Sequence, residues 1–182
     1  DIPTILADGD PIGGAVQEDA LGNTTANLNN NADTDLSTGN LDSDQDTDQT
    51  TFELSSLVTS TPGGDEDATV SYSILDVSGF DSGFTSNTDT VTYTKSGNSI
   101  IAEADGRTIF TFTVDATTGQ ATFNLNDQLD HSGNENDNEL LNINNLGQFV
   151  QVSITDADND IITDTFDGLI NVTVENDLPT IL

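Results

Sequence analysis

Thirty-three Asp and Glu residues against two basic ones, Lys95 and Arg107, give this chain a formal net charge of −31 over 182 residues. Any compact state must bring those carboxylates together, where they repel. Almost no Lys or Arg is present to pair them, so either the chain stays unfolded or neutralising charge comes from solution. Divalent cations suit that task, because carboxylate oxygens are hard ligands for Ca²⁺ and, less often, Mg²⁺. A surface adapted to high salt could account for part of the excess. The same charge excludes nucleic acid and anionic membranes as partners.

The apolar residues argue that the chain folds. They are 33% of the composition and mostly Val, Ile, Leu and Phe, which suit strands. They also alternate: Val70, Tyr72 and Ile74; Val91 and Tyr93; Phe110, Phe112 and Val114; Val150, Val152 and Ile154; Ile170, Val172 and Val174. A period of two places each set on one face of a half-buried antiparallel strand. "SGNS" (96–99) and "ATTGQ" (116–120) are turn-sized gaps, so 91–102 and 107–125 read as hairpins. "AVQEDAL" (15–21) reads as a short edge strand. Helical periodicity is weak; "ELSSLV" (53–58) and "ENDNELLNI" (135–143) hold a turn or two at most. On the order of eight short strands separated by Gly, Asn and Asp predict an all-β antiparallel sandwich with Greek-key character.

Length favours one domain, read as a single β-sandwich over 15–176. Residues 1–14, with two prolines and three glycines, read as a linker between repeats. Asn23 to Gln49 is polar and reads as a long loop, solvated or ordered by metal. "DIPTIL" (1–6) returns as "DLPTIL" (177–182). Chance is one reading; the other is a tandem array, with 177–182 starting the next linker. Cysteine is absent, which removes disulfides and thiol chemistry and is ordinary for an exported bacterial protein. No 18-residue apolar run and no signal-peptide pattern is present, which says little about a unit of a longer chain.

Three acidic clusters are candidate metal sites. "DADND" sets Asp156, Asp158 and Asp160 at alternate positions between two strands, and such a run can wrap a cation with about 6–8 oxygens. A solvated acidic loop is the plainer alternative. "DSDQDTDQTTFE" (42–53) carries oxygens at the relative positions of an EF-hand loop: Asp42, Asp44, Asp46, Asp48, Thr50 and Glu53. Thr47 stands where that loop needs glycine, Gln49 where it needs an apolar residue, and no amphipathic helix precedes it, so it reads as a calcium loop and not as an EF-hand. The third cluster is divided between Glu18 and Asp19 near one end and Glu175, Asn176 and Asp177 near the other, with Asp1 in the place of Asp177 in the preceding unit. In units joined end to end, a cation there would bridge two domains.

Two stretches carry a family resemblance: "IFTFTVDATTGQATFNLNDQLDH" (109–131) and "VQVSITDADNDIITDTFDGLINVTVENDLPTI" (150–181). Both resemble the repeats of large type-I-secreted RTX adhesins of Gram-negative bacteria. There, a hairpin ending in "LDH" precedes a "TDADGD" junction and a closing "DDxP". "VQEDAL" (16–21) and "TGNLDSDQDTDQTTFEL" (38–54) are similar to the front halves of such bacterial cadherin-like repeats; 55–95 matches least. Asn159 replaces the usual glycine of "DADGD", and Asn tolerates the left-handed region. The resemblance implies an immunoglobulin- or cadherin-like sandwich. It implies a monomeric extender outside the cell, stiffened by Ca²⁺, whose partners are neighbouring repeats and which projects an adhesive tip for cell adhesion and biofilm formation.

A Ca²⁺-dependent glycan- or peptide-binding module is the alternative. An Ig-like extender needs only about 100 residues, so length is left over for a binding site; aromatic residues, at 5% with no Trp, offer few sugar-stacking platforms. Catalysis has the least support. Paired acids can hydrolyse glycosides, but at strand-end turns metal ligation is the simpler use. No G-x-S-x-G elbow or thiol nucleophile exists. His131 reads as a packing or hydrogen-bonding residue, and Lys95 and Arg107 as surface strand residues. No membrane insertion is expected.

Overall fold

The computed structural model describes residues 2–21, 47–64, 67–132 and 139–176, apart from the Asp19 side chain. Among them the fold is all-β: fourteen strands and three one-turn 3₁₀ helices. No helix there is long and apolar enough to cross a membrane.

One layer is a six-stranded antiparallel sheet. Strands β6 (Phe80–Ser86), β7 (Asp89–Ser96), β8 (Ser99–Ala104), β9 (Arg107–Val114) and β10 (Gln120–Leu125) follow one another as a meander, and β3 (Gln49–Glu53) closes its far edge against β10. The turns fit their residues. Asp105 and Gly106 both take positive φ between β8 and β9, as the hairpin turn matched to strand twist requires. Both predicted hairpins are present.

The opposing layer has two three-stranded pieces. One is β5 (Thr69–Ile74), β12 (Val150–Thr155) and β13 (Ile161–Thr165); the other is β2 (Ala15–Gln17), β14 (Val172–Glu175) and β11 (Leu140–Ile143). Strand β1 (Thr4–Ala7) pairs with β4 (Val58–Thr61) and lies against β13. The neighbours β3–β10, β5–β12 and β2–β14 are distant in sequence, so the chain crosses repeatedly between layers. One pair departs from the antiparallel expectation, since β2 runs parallel to β14.

Side-chain alternation builds the core as the sequence predicts. Tyr93, Phe110, Phe112 and Phe123 of the large sheet are fully buried, as are Val150, Val152, Phe166, Val172 and Val174 of the other layer, in one continuous cluster. Rings meet across the layers: Phe149 packs edge-on against Phe80 at 4.9 Å and Tyr93 at 6.3 Å. Each such full burial stabilises by about 2 kcal/mol. A core of this extent favours the folded state against repulsion among dispersed surface carboxylates.

Some local expectations changed. Thr4–Ala7, in the segment read as linker, forms β1. Leu140–Ile143, where a helical turn was expected, is strand β11, because pairing with β14 overrides weak local preference. Phe80–Ser86 forms strand β6 without a clean alternation of buried and exposed residues. Its Gly83 and Asp81 look like a turn, and they serve a register shift between Asp81 and Thr85. "ELSSLV" does hold one 3₁₀ turn, Leu54–Leu57.

Candidate metal centre

The β12–β13 connection gathers Asp156, Asp158 and Asp160, with one carboxylate oxygen from each within 4.8 Å of the others. Ca–O bonds of about 2.4 Å put ligands on opposite sides of an ion at such separations. Backbone turns fix the loop. The N–H of Asp156 donates to Asp160 O (3.2 Å), that of Asn159 to Asp156 O (3.2 Å), and that of Asp160 to Asp156 Oδ1 (2.9 Å). Asn159 takes φ 71°, the left-handed conformation its amide side chain tolerates, so it can replace the glycine of the motif.

Asp156 is the inner member. It is 5% exposed, and its Oδ2 is buried with no hydrogen-bond partner, while Asp158 and Asp160 face solvent. A buried carboxylate oxygen without a donor is costly unless a cation completes it. The Asp158 side chain above all holds the Asp156 carboxyl below the usual carboxylate range, helped by the Asp160 and Asp158 backbone N–H groups and opposed by burial. The donors and their spacing fit a hard divalent ion.

The EF-hand-like spacing is not realised as one loop. Asp42, Asp44 and Asp46 lie outside the described residues. Gln49–Glu53 is strand β3, with Thr50 opposite Phe123 and Glu53 opposite Gln120. An extended strand separates Asp48 from Glu53 by roughly 16 Å. Asp48 is fully buried at the strand start, whereas the exposed Glu53 carboxylate accepts the Gln120 Nε2 amide at 2.8 Å. Pairing with β10 has taken the segment that would have had to curl.

Strands β13 and β14 lead away from the Asp156–Asp160 loop, and a second acidic group stands where β14 ends. Glu18, in a single 3₁₀ turn after β2, is 1% exposed; its Oε1 accepts the Leu129 N–H at 2.7 Å and lies 3.4 Å from His131 Nε2. Glu175 ends β14, and the Asn176 N–H donates to Glu139 O at 3.0 Å. Asp1 and Asp177 lie outside the described residues, as does the side chain of Asp19. A hollow of about 390 Å³ at this end is lined by Glu18, Asn176, Asp127, Asp130 and Arg107 among others.

Sequence reading missed Asp127 and Asp130, and it placed Arg107 on an open strand surface. Asp127 is buried and bonded to Arg107 Nη1, whose guanidinium also donates to Ser86 O at 3.2 Å and lies 3.9 Å from Asp89. Asp130 accepts the N–H groups of Asn87 and Thr88, at 2.9 and 2.8 Å. Those two residues have φ of 52° and 70°, the second unusual for a β-branched side chain. His131 is packed with 4% of its side chain exposed, and neither ring nitrogen has a hydrogen-bond partner. Its packing role agrees with the sequence reading.

Fold and site define an all-β sandwich with a loop whose three carboxylates lie close enough together to hold a metal ion. A family model described as a domain of unknown function, DUF5801, matches residues 16–168, and the chain belongs to that family. No curated protein and no solved structure matches it.

Proposed function

We propose that this domain is a calcium-stabilised extender repeat of a large type-I-secreted RTX adhesin of a Gram-negative bacterium. In this reading it stands outside the cell, joined to neighbouring repeats, and projects an adhesive tip for cell adhesion and biofilm formation. One observation carries the reading: the buried, unpartnered Asp156 Oδ2 among three converging carboxylates. Bringing these groups together on folding costs free energy, and a bound Ca²⁺ reverses that cost while stabilising the fold by mass action. The fold would then be less stable where calcium is scarce and more stable where it is plentiful. The acidic end with Glu18 and Glu175 would face the Asp156–Asp160 loop of the following copy. A cation between them would fix the angle at the joint. No catalytic step is assigned.

The test is thermal unfolding by circular dichroism in excess EDTA, in millimolar Ca²⁺ and in Mg²⁺. One site held at 100 times its Kd adds about 2.7 kcal/mol, which raises Tm by roughly 5–10 °C in a domain of this size. A Ca²⁺-selective rise is the expected result, and an unchanged Tm overturns the reading.

A binding module is the second reading. It is favoured by an amide-lined hollow beside Asn142, Asn144 and Asn171, where Asn171 Oδ1 is buried without a partner. Retention of one class of neutral sugar on a glycan array, lost in Asn171→Ala, would put this reading first.

A further inference from the structure

The chain's first and last described segments run side by side in the same direction. The Ile12 N–H donates to Leu169 O and the Asn171 N–H to Ile12 O, both at 2.9 Å; the Thr173 N–H donates to Gly14 O at 2.9 Å. The parallel register continues with Ala15 opposite Thr173, Val16 opposite Val174 and Gln17 opposite Glu175. Val16, Val172 and Val174 are fully buried beneath the seam. Two glycines let it close: a Cβ on Gly13 would lie 1.7 Å from the Asn171 carbonyl oxygen, and one on Gly14 would lie 1.9 Å from Thr50 Oγ1.

We infer that this parallel seam, 12–17 against 169–175, is a mechanical clamp that lets the domain resist tension along the chain. The reason is geometric. In parallel strands, a pull on the N-terminal side of one and the C-terminal side of the other acts along the strands in opposite directions. The cross-strand hydrogen bonds then lie across the force and share it, and none can fail until several do. An antiparallel pair pulled apart at facing residues opens one bond after another. Beyond the seam, the Ala7 N–H is anchored to Asp164 Oδ2 at 2.9 Å and the Asp8 N–H to Leu57 O at 3.0 Å, so the segment leading in is also held. None of these bonds belongs to the Asp156–Asp160 loop, so the clamp works without a cation. The inference rests on the extender reading only for the source of tension.

Absence of cysteine allows thiol handles at chosen points on the full chain. Single-molecule pulling compares Asp10→Cys/Asn176→Cys, which loads the seam in shear, with Thr4→Cys/Thr61→Cys, which pulls apart a facing pair of the antiparallel β1–β4 ladder. Forced rupture reports the unfolding barrier, and the first rupture force is expected to be at least about twofold higher in the shear pair, in EDTA as in Ca²⁺. Gly13→Ala is expected to lower the shear force and leave the Thr4/Thr61 force unchanged. Should that variant not fold, the two attachment geometries decide alone. Equal forces in the two geometries, or a high shear force seen only in Ca²⁺, would overturn the clamp. Absence of any calcium effect in either geometry would count against the extender's cation and leave the clamp standing.

Discussion

At Asp156 one carboxylate oxygen accepts the Asp160 N–H, and the other has no donor. The two oxygens make different demands: the first shapes the turn, the second needs a cation. Replacing Asp156 by Asn should therefore lower Tm in Ca²⁺ and change it little in EDTA, as paired melts would show. An equal drop in both media would make the residue structural for another reason. The Asp130 carboxyl sits below its ordinary 3.8, because burial, which raises its pKa, is outweighed by bonds from Thr85, Thr88 and Asn87 and by Arg107. A depressed native pKa gives stability that is present above the unfolded value and lost as pH falls through the native one. The stability gap between the wild type and Asp130→Asn should hold at pH 7 and close below about pH 4; urea melts across pH measure it, and a gap independent of pH would refute the assignment. Asp156, Asp158 and Asp160 were legible because they are contiguous. Glu18 was legible as an acid, but its bond to Leu129 spans 111 positions and no local pattern encodes it.

Alternation identified β5, β7, β9, β12 and β14, since a strand with one buried face must repeat every second residue, and the turn-sized gaps at 96–99 and 116–120 added β8 and β10 as hairpin partners. Strands β1, β3 and β4 are short or mostly exposed and carry no such signal; their partners create them. One turn residue joins the layers in a way alternation cannot reveal. Asn98, between β7 and β8, accepts the Ile74 N–H at 2.8 Å and donates to Val114 O at 2.6 Å and to Tyr72 O at 3.3 Å. A single amide thus bonds β5 to β9 at the place where the two layers approach. Asn98→Ala leaves several partners unsatisfied at once and should cost roughly 2–3 kcal/mol, read from urea unfolding. A loss within about 0.5 kcal/mol, ordinary for a surface site, would show that water replaces those bonds.

Across the molecule, the net charge of −31 acts in two ways that salt can separate. Long-range repulsion is screened by any electrolyte, with a Debye length of about 3 Å at 1 M, whereas converging carboxylates need an ion that coordinates them. In EDTA, 1 M NaCl should raise Tm less than millimolar Ca²⁺ does; full replacement of Ca²⁺ by NaCl would mean the acids serve salt adaptation. By itself the sequence determined the all-β class, the buried faces of its regular strands and the carboxylate run of the β12–β13 loop. Each of these follows from neighbours within a few residues. Tertiary structure alone decided the rest. It straightened 49–53 into β3, set Arg107 among Asp89 and Asp127, and laid 12–17 parallel to 169–175. Those outcomes depend on which distant segments win each other's backbone hydrogen bonds and share one core, a competition settled only when the whole chain closes.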